Sequence, residues 1–538
     1  MRPIITLAAL IAFTLTHAQW AYAWAQQTTS PNIEQANNCA VSADGHAAMV
    51  GSFQQDLQVG TYSGDGMPCN GTRGFVALYD ANGTFNWAHA ISGWHPSGAD
   101  TQVRDVVIDQ DDNVIVGGAF SDSLMLDGLK VLSKPDSIVA GARCFYVLKF
   151  GLYGGLTWAK AIGLEGYTGQ LQAIAVDGNG DIYTAGSGGF DYGRFHKLSG
   201  TDGHIIFSET PQGASAVLYD VATDPSGNVY ISGQATNAFT MGGGDCPYNN
   251  ALGAGSTPLF VGKFNSAGEA QWYYVPDQTG SGYPPFPENS LAVNTSGQVF
   301  VETRKTVRIL GDTIADGNGA IHGLFSLDSN GQPLWARKLN LPNGQLFASD
   351  LHCDNDGNVL VAGHTYGSTV DLLDTVINSS SAGFNVFLGR YAHSTGALTG
   401  LLNGPALQDV MGVGVDGDNV PYLGGTAAGP VQLGGTEISG SWNAFVTKLG
   451  SNVGLQDLAQ HSRLRAWPNP TTGAFTLQLP RASSPWQVTI TDELGRVVSL
   501  MRASSNVMSI DLSGHSTGVY HVIAQNSKVR EHLMVTVE

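Results

Sequence analysis

Three aspartates, Asp105, Asp220 and Asp350, share one position: each stands four residues ahead of a second aspartate, Asp109, Asp224 or Asp354. Carboxylates brought together at a common mouth would form a partial acidic ring able to hold a cation or sugar hydroxyls; apart, they would be solvated or cap turn N–H groups. Glu302, Arg304, Lys305 and Arg308 concentrate charge in a chain with 13% charged residues. Such a cluster marks either a contact surface or a strand edge kept soluble. Asp354-Asn355-Asp356-Gly357-Asn358 and Asp109-Gln110-Asp111-Asp112 look like pieces of calcium loops. A loop of the EF type needs a bidentate Glu at its twelfth position, and neither has one, so a plain turn is favoured over bound calcium and no cofactor is expected. The chain has no Gly-x-Ser-x-Gly, His-Glu-x-x-His, phosphate loop or Cys-x-x-Cys. Ser326-Leu327-Asp328-Ser329-Asn330-Gly331 with Trp335 nearly matches an Asp box, but it falls on an ordinary turn.

The elements that position these residues repeat. An apolar strand, an Asp or Asn, a tight turn and a second apolar strand ending in Gly recur from Val41 to Gly425. Aligned on the turn, the column reads Ser42, Asp109, Asp177, Asp224, Asn294, Asp354 and Asp416, at steps of 67, 68, 47, 70, 60 and 62 residues. Each copy adds an aromatic-rich third strand with a basic end (Lys149, Lys197, Lys263, Arg390, Lys448) and a short fourth strand bearing Trp87, Trp158, Trp272 or Trp335; Phe207 and Thr399 are the exceptions. Four short antiparallel strands every sixty residues or so are the signature of a propeller blade. The basic column repeats too regularly to be a site.

The seventh copy lacks a fourth strand, and an open propeller would leave two unpaired edges. Trp20-Ala21-Tyr22-Ala23 matches Trp87-Ala88-His89-Ala90, and Trp20 precedes Ser42 by the 22 residues that separate Trp87 from Asp109. Residues 19–23 therefore are expected to close the last blade. Ahead of them, Arg2 and the apolar run Ile4 to Leu15 suit a secretory signal and are too short to span a bilayer. Of the small-x-small cleavage points, the one after Ala18 keeps the closing strand. No later stretch is long enough to be a transmembrane segment.

Seventy glycines and 42% apolar residues fit an all-β chain, and a net charge of -19 argues against nucleic acid as a partner. Five cysteines are too few for a disulfide scaffold; Cys39 and Cys353 fill apolar columns, with a Cys39 to Cys69 bridge left open.

The repeat resembles the secreted bacterial seven-bladed β-propeller repeat family, on units such as Asp224-Pro225-Ser226-Gly227-Asn228-Val229-Tyr230 and Phe260-Val261-Gly262-Lys263-Phe264. The tail resembles the C-terminal sorting domain of the type IX secretion system of Gram-negative Bacteroidota, a small β-sandwich. Its matching residues are Trp467-Pro468-Asn469-Pro470, Asp492 with Gly495, and Gly518-Val519-Tyr520. The alternation of Phe475, Leu477 and Leu479 with polar neighbours supports a sandwich independently.

The reading is thus a signal peptide at 1–18, a seven-bladed β-propeller at 19–449, a linker at 450–465 and a sorting domain at 466–538, followed by export to the cell surface or the medium. The resemblance implies the type IX translocon as a partner. Propellers host unrelated activities, so the fold leaves function open. A binding or adhesion module for glycan or protein is favoured over a secreted enzyme degrading polysaccharide or peptide, and over a structural envelope component. A Tyr-His-Arg cluster at one channel mouth would favour a lyase-type enzyme; flat aromatic faces on rim loops would favour binding.

Overall fold

The computed structural model describes residues 18–452 and 465–538, apart from 30–32, 55, 65–71, 95–100, 136–141, 164–168, 189–192, 249–256, 279–290, 316–320, 341–344, 368, 374, 379–383, 439–441, 480–485, 493–495, 504, 506 and 526–529. The segment before Ala18, expected to be a signal, lies outside the described residues, as do Cys69, Gly495 and most of the expected linker. The chain forms two compact units, residues 1–450 and 451–538.

In the first unit, strands pair in sequence order into four-stranded antiparallel sheets, for example Thr101–Ile108, Val114–Phe120, Cys144–Phe150 and Leu156–Ile162. The first strands touch one another in a closed circuit: Glu34–Val41, Thr101–Ile108, Gly169–Val176, Ala216–Thr223, Leu291–Val293, Gln345–Cys353, Asp409–Val415 and back to Glu34–Val41. Seven sheets arranged around a ring of first strands are a seven-bladed β-propeller, numbered here from the blade that begins at Glu34. Second and third strands are almost wholly buried because each blade packs on two neighbours, as in the all-buried runs Val229–Ala235 and Cys144–Phe150.

The seventh blade is built from both ends of the unit. Ala18–Gln27 lies between Asn443–Asn452 of blade 7 and Leu398–Ala406 of blade 6, with Ala18 and Gln19 in parallel register with Gly400 and Leu401. The strand is longer than residues 19–23, and its register differs from that set by the 22-residue spacing. Trp24, not Trp20, takes the recurrent tryptophan position. The indole N–H groups of Trp24, Trp87, Trp158, Trp272 and Trp335 each donate to a carbonyl in the turn between strands three and four of the next blade: Ala81 (3.1 Å), Leu152 (2.8 Å), Gly200 (3.1 Å), Ser329 (3.0 Å) and His393 (2.7 Å). Each ring lies against a glycine of that turn, Gly83 for Trp24 and Gly154 for Trp87, where an added Cβ would come within 2.8 Å of the indole. Trp20 packs instead on the core of blades 6 and 7. This latch explains the exception at Thr399: the blade after it takes its fourth strand from the N-terminus and has no turn to receive an indole.

The two faces of the disc differ. On one, strand one meets strand two, and strand three meets strand four, through short Asp or Asn turns. On the other, strands two and three are joined by longer connections that carry small hairpins, such as Leu57–Val59 with Tyr62–Gly64 and Val431–Leu433 with Thr436–Ile438. Paired positive φ values at Asp127-Gly128 and Gly242-Gly243 give two of these hairpins the twist that matches their strands. The hairpin Ser123–Leu126 with Leu129–Ser133 adds to the outer strand of blade 1 and covers its edge.

The second unit pairs a three-stranded sheet (Arg465–Trp467, Ala474–Gln478, Val507–Asp511) with a four-stranded sheet (Val497–Ala503, Trp486–Thr491, Gly518–Gln525, Arg530–Val537). Phe475, Leu477, Val488, Ile490, Ile510, Val522 and Val535 fill the space between them, which makes a β-sandwich.

Replacing Trp24 by Ala removes the latch to Ala81 and the edge contact with Tyr422, whose ring centroid lies 5.8 Å away. Trp24→Ala is expected to cost the propeller about 2–3 kcal/mol in urea unfolding. Trp20→Ala, which leaves the latch intact, should cost less; the reverse order would refute the register.

Candidate functional site

Asp105, Asp220 and Asp350 do converge. All three line one central cavity of about 330 Å³, together with Asn38, Cys39, His352 and Cys353. Their oxygens are already engaged there. Six of the seven first strands carry a bulge at this column, seen as register shifts at Ala36/Asn38, Val103/Asp105, Leu171/Ala173, Leu218/Asp220, Ala348/Asp350 and Val410/Gly412, and the described part of the blade 5 strand begins at the same column with Leu291. A bulge frees a backbone N–H from the ladder. Oδ1 of each aspartate accepts the N–H of its own following residue, Val106 (2.8 Å), Val221 (2.8 Å) or Leu351 (2.9 Å). Oδ2 accepts the matching N–H of the next blade, Ile174 (2.7 Å), Leu291 (2.6 Å) or Val413 (2.9 Å). Asn38 supplies the remaining position. Its Oδ1 accepts the Cys39 N–H at 2.7 Å, and its Nδ2 donates to Asp105 at 2.6 Å. Three carboxylates and one amide thus accept one first-strand N–H from each of the seven blades, so the acidic ring is an inter-blade clasp.

The turn aspartates are engaged in the same way. Asp224 Oδ1 accepts N–H groups of Ser226 and Asn228, while Oδ2 accepts the hydroxyl of Tyr230 at 2.9 Å. The most calcium-like turn is knit to Arg390, whose Nε lies 2.5 Å from Asp354 and whose Nη2 lies 2.6 Å from Asp356. Lys149, Lys197, Arg390 and Lys448 of the basic column bind their own blade's turn, as Lys149 does at 2.9 Å from Asp109, while Lys149 and Lys263 donate to Gly200 and Ser329 of the next blade. Asp328 of the near Asp box accepts the N–H groups of Asn330 and Gln332 as a turn residue. Cys39, Cys144, Cys246 and Cys353 are free thiols.

The charged cluster of blade 5 is not the solvated surface its composition implied. Glu302 and Lys305 are buried, Arg304 is half-buried, and only Arg308 is exposed, on a separate short strand Val307–Ile309. Burial wins because Val299–Thr303 is a second strand, enclosed by its neighbours. Glu302 Oε1 lies 2.5 Å from His322 Nδ1, with side-chain exposures of 1% and 0%. The His322 N–H donates to Asn340 at 3.0 Å. Arg304 sits 5.7 Å over the ring of Phe347, and on Phe347 stacks His364, at 4.8 Å and 27°. Phe384 meets His364 edge-on at 4.9 Å, and exposed Tyr366 leans on Phe384 at 5.1 Å. Burial, then Arg304 and His322, push the His364 imidazole down to about 4. Burial alone pushes Lys305 down to about 7; its Nζ donates to the carbonyl of Thr257.

Glu302 Oε2, His322 Nε2 and His364 Nδ1 are buried here without a hydrogen-bond partner from the protein. Buried polar atoms are rarely left so, and each calls for a partner such as an ordered water, an ion or a ligand. Sequence reasoning found Glu302 and Arg304 as an oddity but missed His322, His364, Phe347 and Phe384, which lie outside the repeated columns. No group of three His, Cys, Asp or Glu among the described residues is spaced to hold a metal ion.

In the second unit, Asn469 ties its segment to the last strand, donating from Nδ2 to Met534 (2.8 Å) and accepting the Thr536 N–H at Oδ1 (2.9 Å). Pro468 and Pro470 follow cis peptide bonds. Asp492 accepts Arg496 Nε at 2.7 Å, and Gly518 opens a strand with φ 151°. Tyr520 is buried, with its hydroxyl on the Ser516 carbonyl at 2.6 Å.

Fold and tail together define an exported β-propeller carrying its own delivery domain. Residues 465–536 match the family described as the secretion system C-terminal sorting domain. The chain is therefore cargo of the type IX secretion system, carried across the outer membrane to the cell surface or the medium. No curated protein matches it. Among solved structures it is similar to a chain of a mitotic checkpoint complex (10% identity, 83% of this chain and 96% of that chain, TM-score 0.40). It is also similar to the quinohemoprotein alcohol dehydrogenase of Comamonas testosteroni (9%, 80% and 76%, TM-score 0.38) and to a luciferin-regenerating enzyme (11%, 64% and 90%, TM-score 0.33). No helix among the described residues is long and apolar enough to cross a membrane.

Burial and mutual repulsion in the clasp favour its protonated form: Asp105 is pushed up to about 6 and Asp350 to about 8, with Asp220 raised in the same direction. An unfolded aspartate titrates near 3.8, so between these values the folded state binds more protons than the unfolded one. Stability is then greatest in acid and falls as pH rises through the folded-state range. Unfolding from about pH 5 to about pH 8 should show this decline, and Asp350→Asn should flatten it. Asp220→Ala, which strands two N–H groups, should cost about 2–4 kcal/mol.

Proposed function

We propose that the exported chain is a binding module, acting at the cell surface or in the medium, whose glycan or protein ligand meets the loop-bearing face of the propeller over blades 5 and 6. One observation carries this reading: the partnerless buried polar atoms Glu302 Oε2, His322 Nε2 and His364 Nδ1 lie there beside Phe347, Phe384 and exposed Tyr366. On the opposite face, the turn aspartates, lysines and tryptophans are consumed by one another and by backbone groups. Connections on a rigid scaffold are where ligands are usually met.

A second reading has its own support. A carboxylate holding one imidazole nitrogen and leaving the other without a partner is the arrangement of a general acid–base pair, and Glu302 with His322 has it. The mature protein should be applied to glycan and extracellular-protein arrays, and each captured ligand then incubated with it. Capture with the ligand recovered intact is the expected result. Cleavage of a captured polysaccharide or peptide, lost in His322→Ala, would establish the enzyme instead.

The export leader ends after Ala18 in this reading. Cleavage after Ala25 would remove the Trp24 latch, and cleavage after Ala23 would remove Trp20 and Tyr22 from the core of blades 6 and 7. N-terminal sequencing of the exported protein should begin at Gln19; a start at Trp24 or Gln26 would contradict it.

A further inference from the structure

We infer that the cluster between blades 5 and 6 is a saccharide site, taking a pyranose ring through its hydroxyls and one apolar face; this rests on the binding reading above. The polar inventory selects the ligand. A carboxylate accepts, so the hydrogen between Glu302 and His322 sits on Nδ1, and in the neutral imidazole that tautomer leaves a lone pair on Nε2. Glu302 Oε2 and His322 Nε2 therefore both seek donors, and His364 Nδ1 takes either role. A metal ion would supply no match, since no three of the described ligand-type residues are spaced for one. An organic cation would meet the guanidinium of Arg304, which adds to burial in disfavouring a charge on His364. An anion would suit Arg304 but leave Glu302 and His322 without donors. Hydroxyl groups donate and accept in the same place, which answers both kinds of atom.

The surroundings suit the same ligand. From the outside inward the cluster runs from exposed Tyr366, through half-buried Phe384, His364 and Phe347, to the fully buried His322 and Glu302. Aromatic faces at the entrance receive the C–H face of a sugar ring, and polar atoms behind them receive its hydroxyls, the division of labour expected of a small-molecule site. Tyr366 is 44% exposed and so within reach of a ligand in solvent.

The experiment is isothermal titration of the mature chain with soluble oligosaccharides of glucan, mannan, galactan, xylan and polygalacturonate. At least one should bind. His364→Phe, which keeps a ring on Phe347 but removes both nitrogens, should weaken it about tenfold or more, and Tyr366→Ala about threefold. Both variants should melt as the parent does, since one preserves the stack and the other alters an exposed side chain; Glu302→Gln serves as a third probe only if its melting is also unchanged. A sugar bound equally well by His364→Phe and Tyr366→Ala overturns the site and leaves the binding reading standing. Capture of a protein ligand alone, with no sugar bound, overturns the sugar. Silence on both arrays and in titration overturns the binding reading with it.

Discussion

The propeller depends on how its first strands handle the backbone N–H that each bulge releases. These groups point toward a narrow channel where water competes poorly, and an unmet buried N–H costs on the order of 1–3 kcal/mol. One carboxylate placed between two blades meets two of them. Asp105, Asp220 and Asp350 accordingly join blades 2 to 3, 4 to 5 and 6 to 7. Seven is odd, and blade 1 is left over. Asn38 fits that place because an amide can accept from Cys39 and donate to Asp105 at once, which a fourth aspartate could not do. The receiving blades carry small residues at the same position, Ala173 and Gly412, where a larger side chain would meet the incoming carboxylate or the neighbouring strand. At Gly412 an added Cβ would lie 2.3 Å from the Asn38 amide oxygen.

This clasp separates structure from function. Once the channel aspartates and the turn aspartates are assigned to backbone and to lysine, tyrosine or arginine, the turn face has little chemistry left over. What remains lies where the repeat is broken. Blade 5 replaces the usual glycine pair with Glu302 and Thr303, and blade 6 places Phe347, with His364 stacked on it, against Arg304 and His322. A repeat fold holds its blades by a common grammar, so departures from it are the places where one blade can differ without weakening the others.

Much of this was legible in the sequence, and the failures have physical causes. Repeat period, strand order and the sandwich tail could be read because they rest on columns and alternation. The register of the closing strand could not, because Trp20-Ala21 and Trp24-Ala25 are four residues apart and a strand shifted by four presents the same face. The choice is made by Gly83, whose missing Cβ leaves room for Trp24. The clasp was visible as a column of aspartates, but its partners are N–H groups of a neighbouring blade, which carry no sequence signature. Burial of Glu302 and Lys305 was misread because charge is a poor guide to exposure when the partner, His322, lies 20 residues away in another strand. The small hairpins were missed although Asp127-Gly128, Gly242-Gly243 and Gly434-Gly435 are the residues such turns require.

Closing the ring with the N-terminal strand sets a constraint on how the chain is exported. Trp24 and Thr447 hydrogen-bond across 423 residues of sequence, and Thr28 and Ala444 across 416. Bringing such distant segments together costs about 5 kcal/mol in loop entropy. The cost is offset only when the whole seam forms: Trp24 on Ala81, Thr447 on Trp24, and the N–H of Glu34 on Trp442. Contacts this remote in sequence form late, since nearer ones must first shorten the path. The exported chain must therefore bring both ends of the propeller together before the seam holds, while the β-sandwich of the second unit keeps a hydrophobic core of its own.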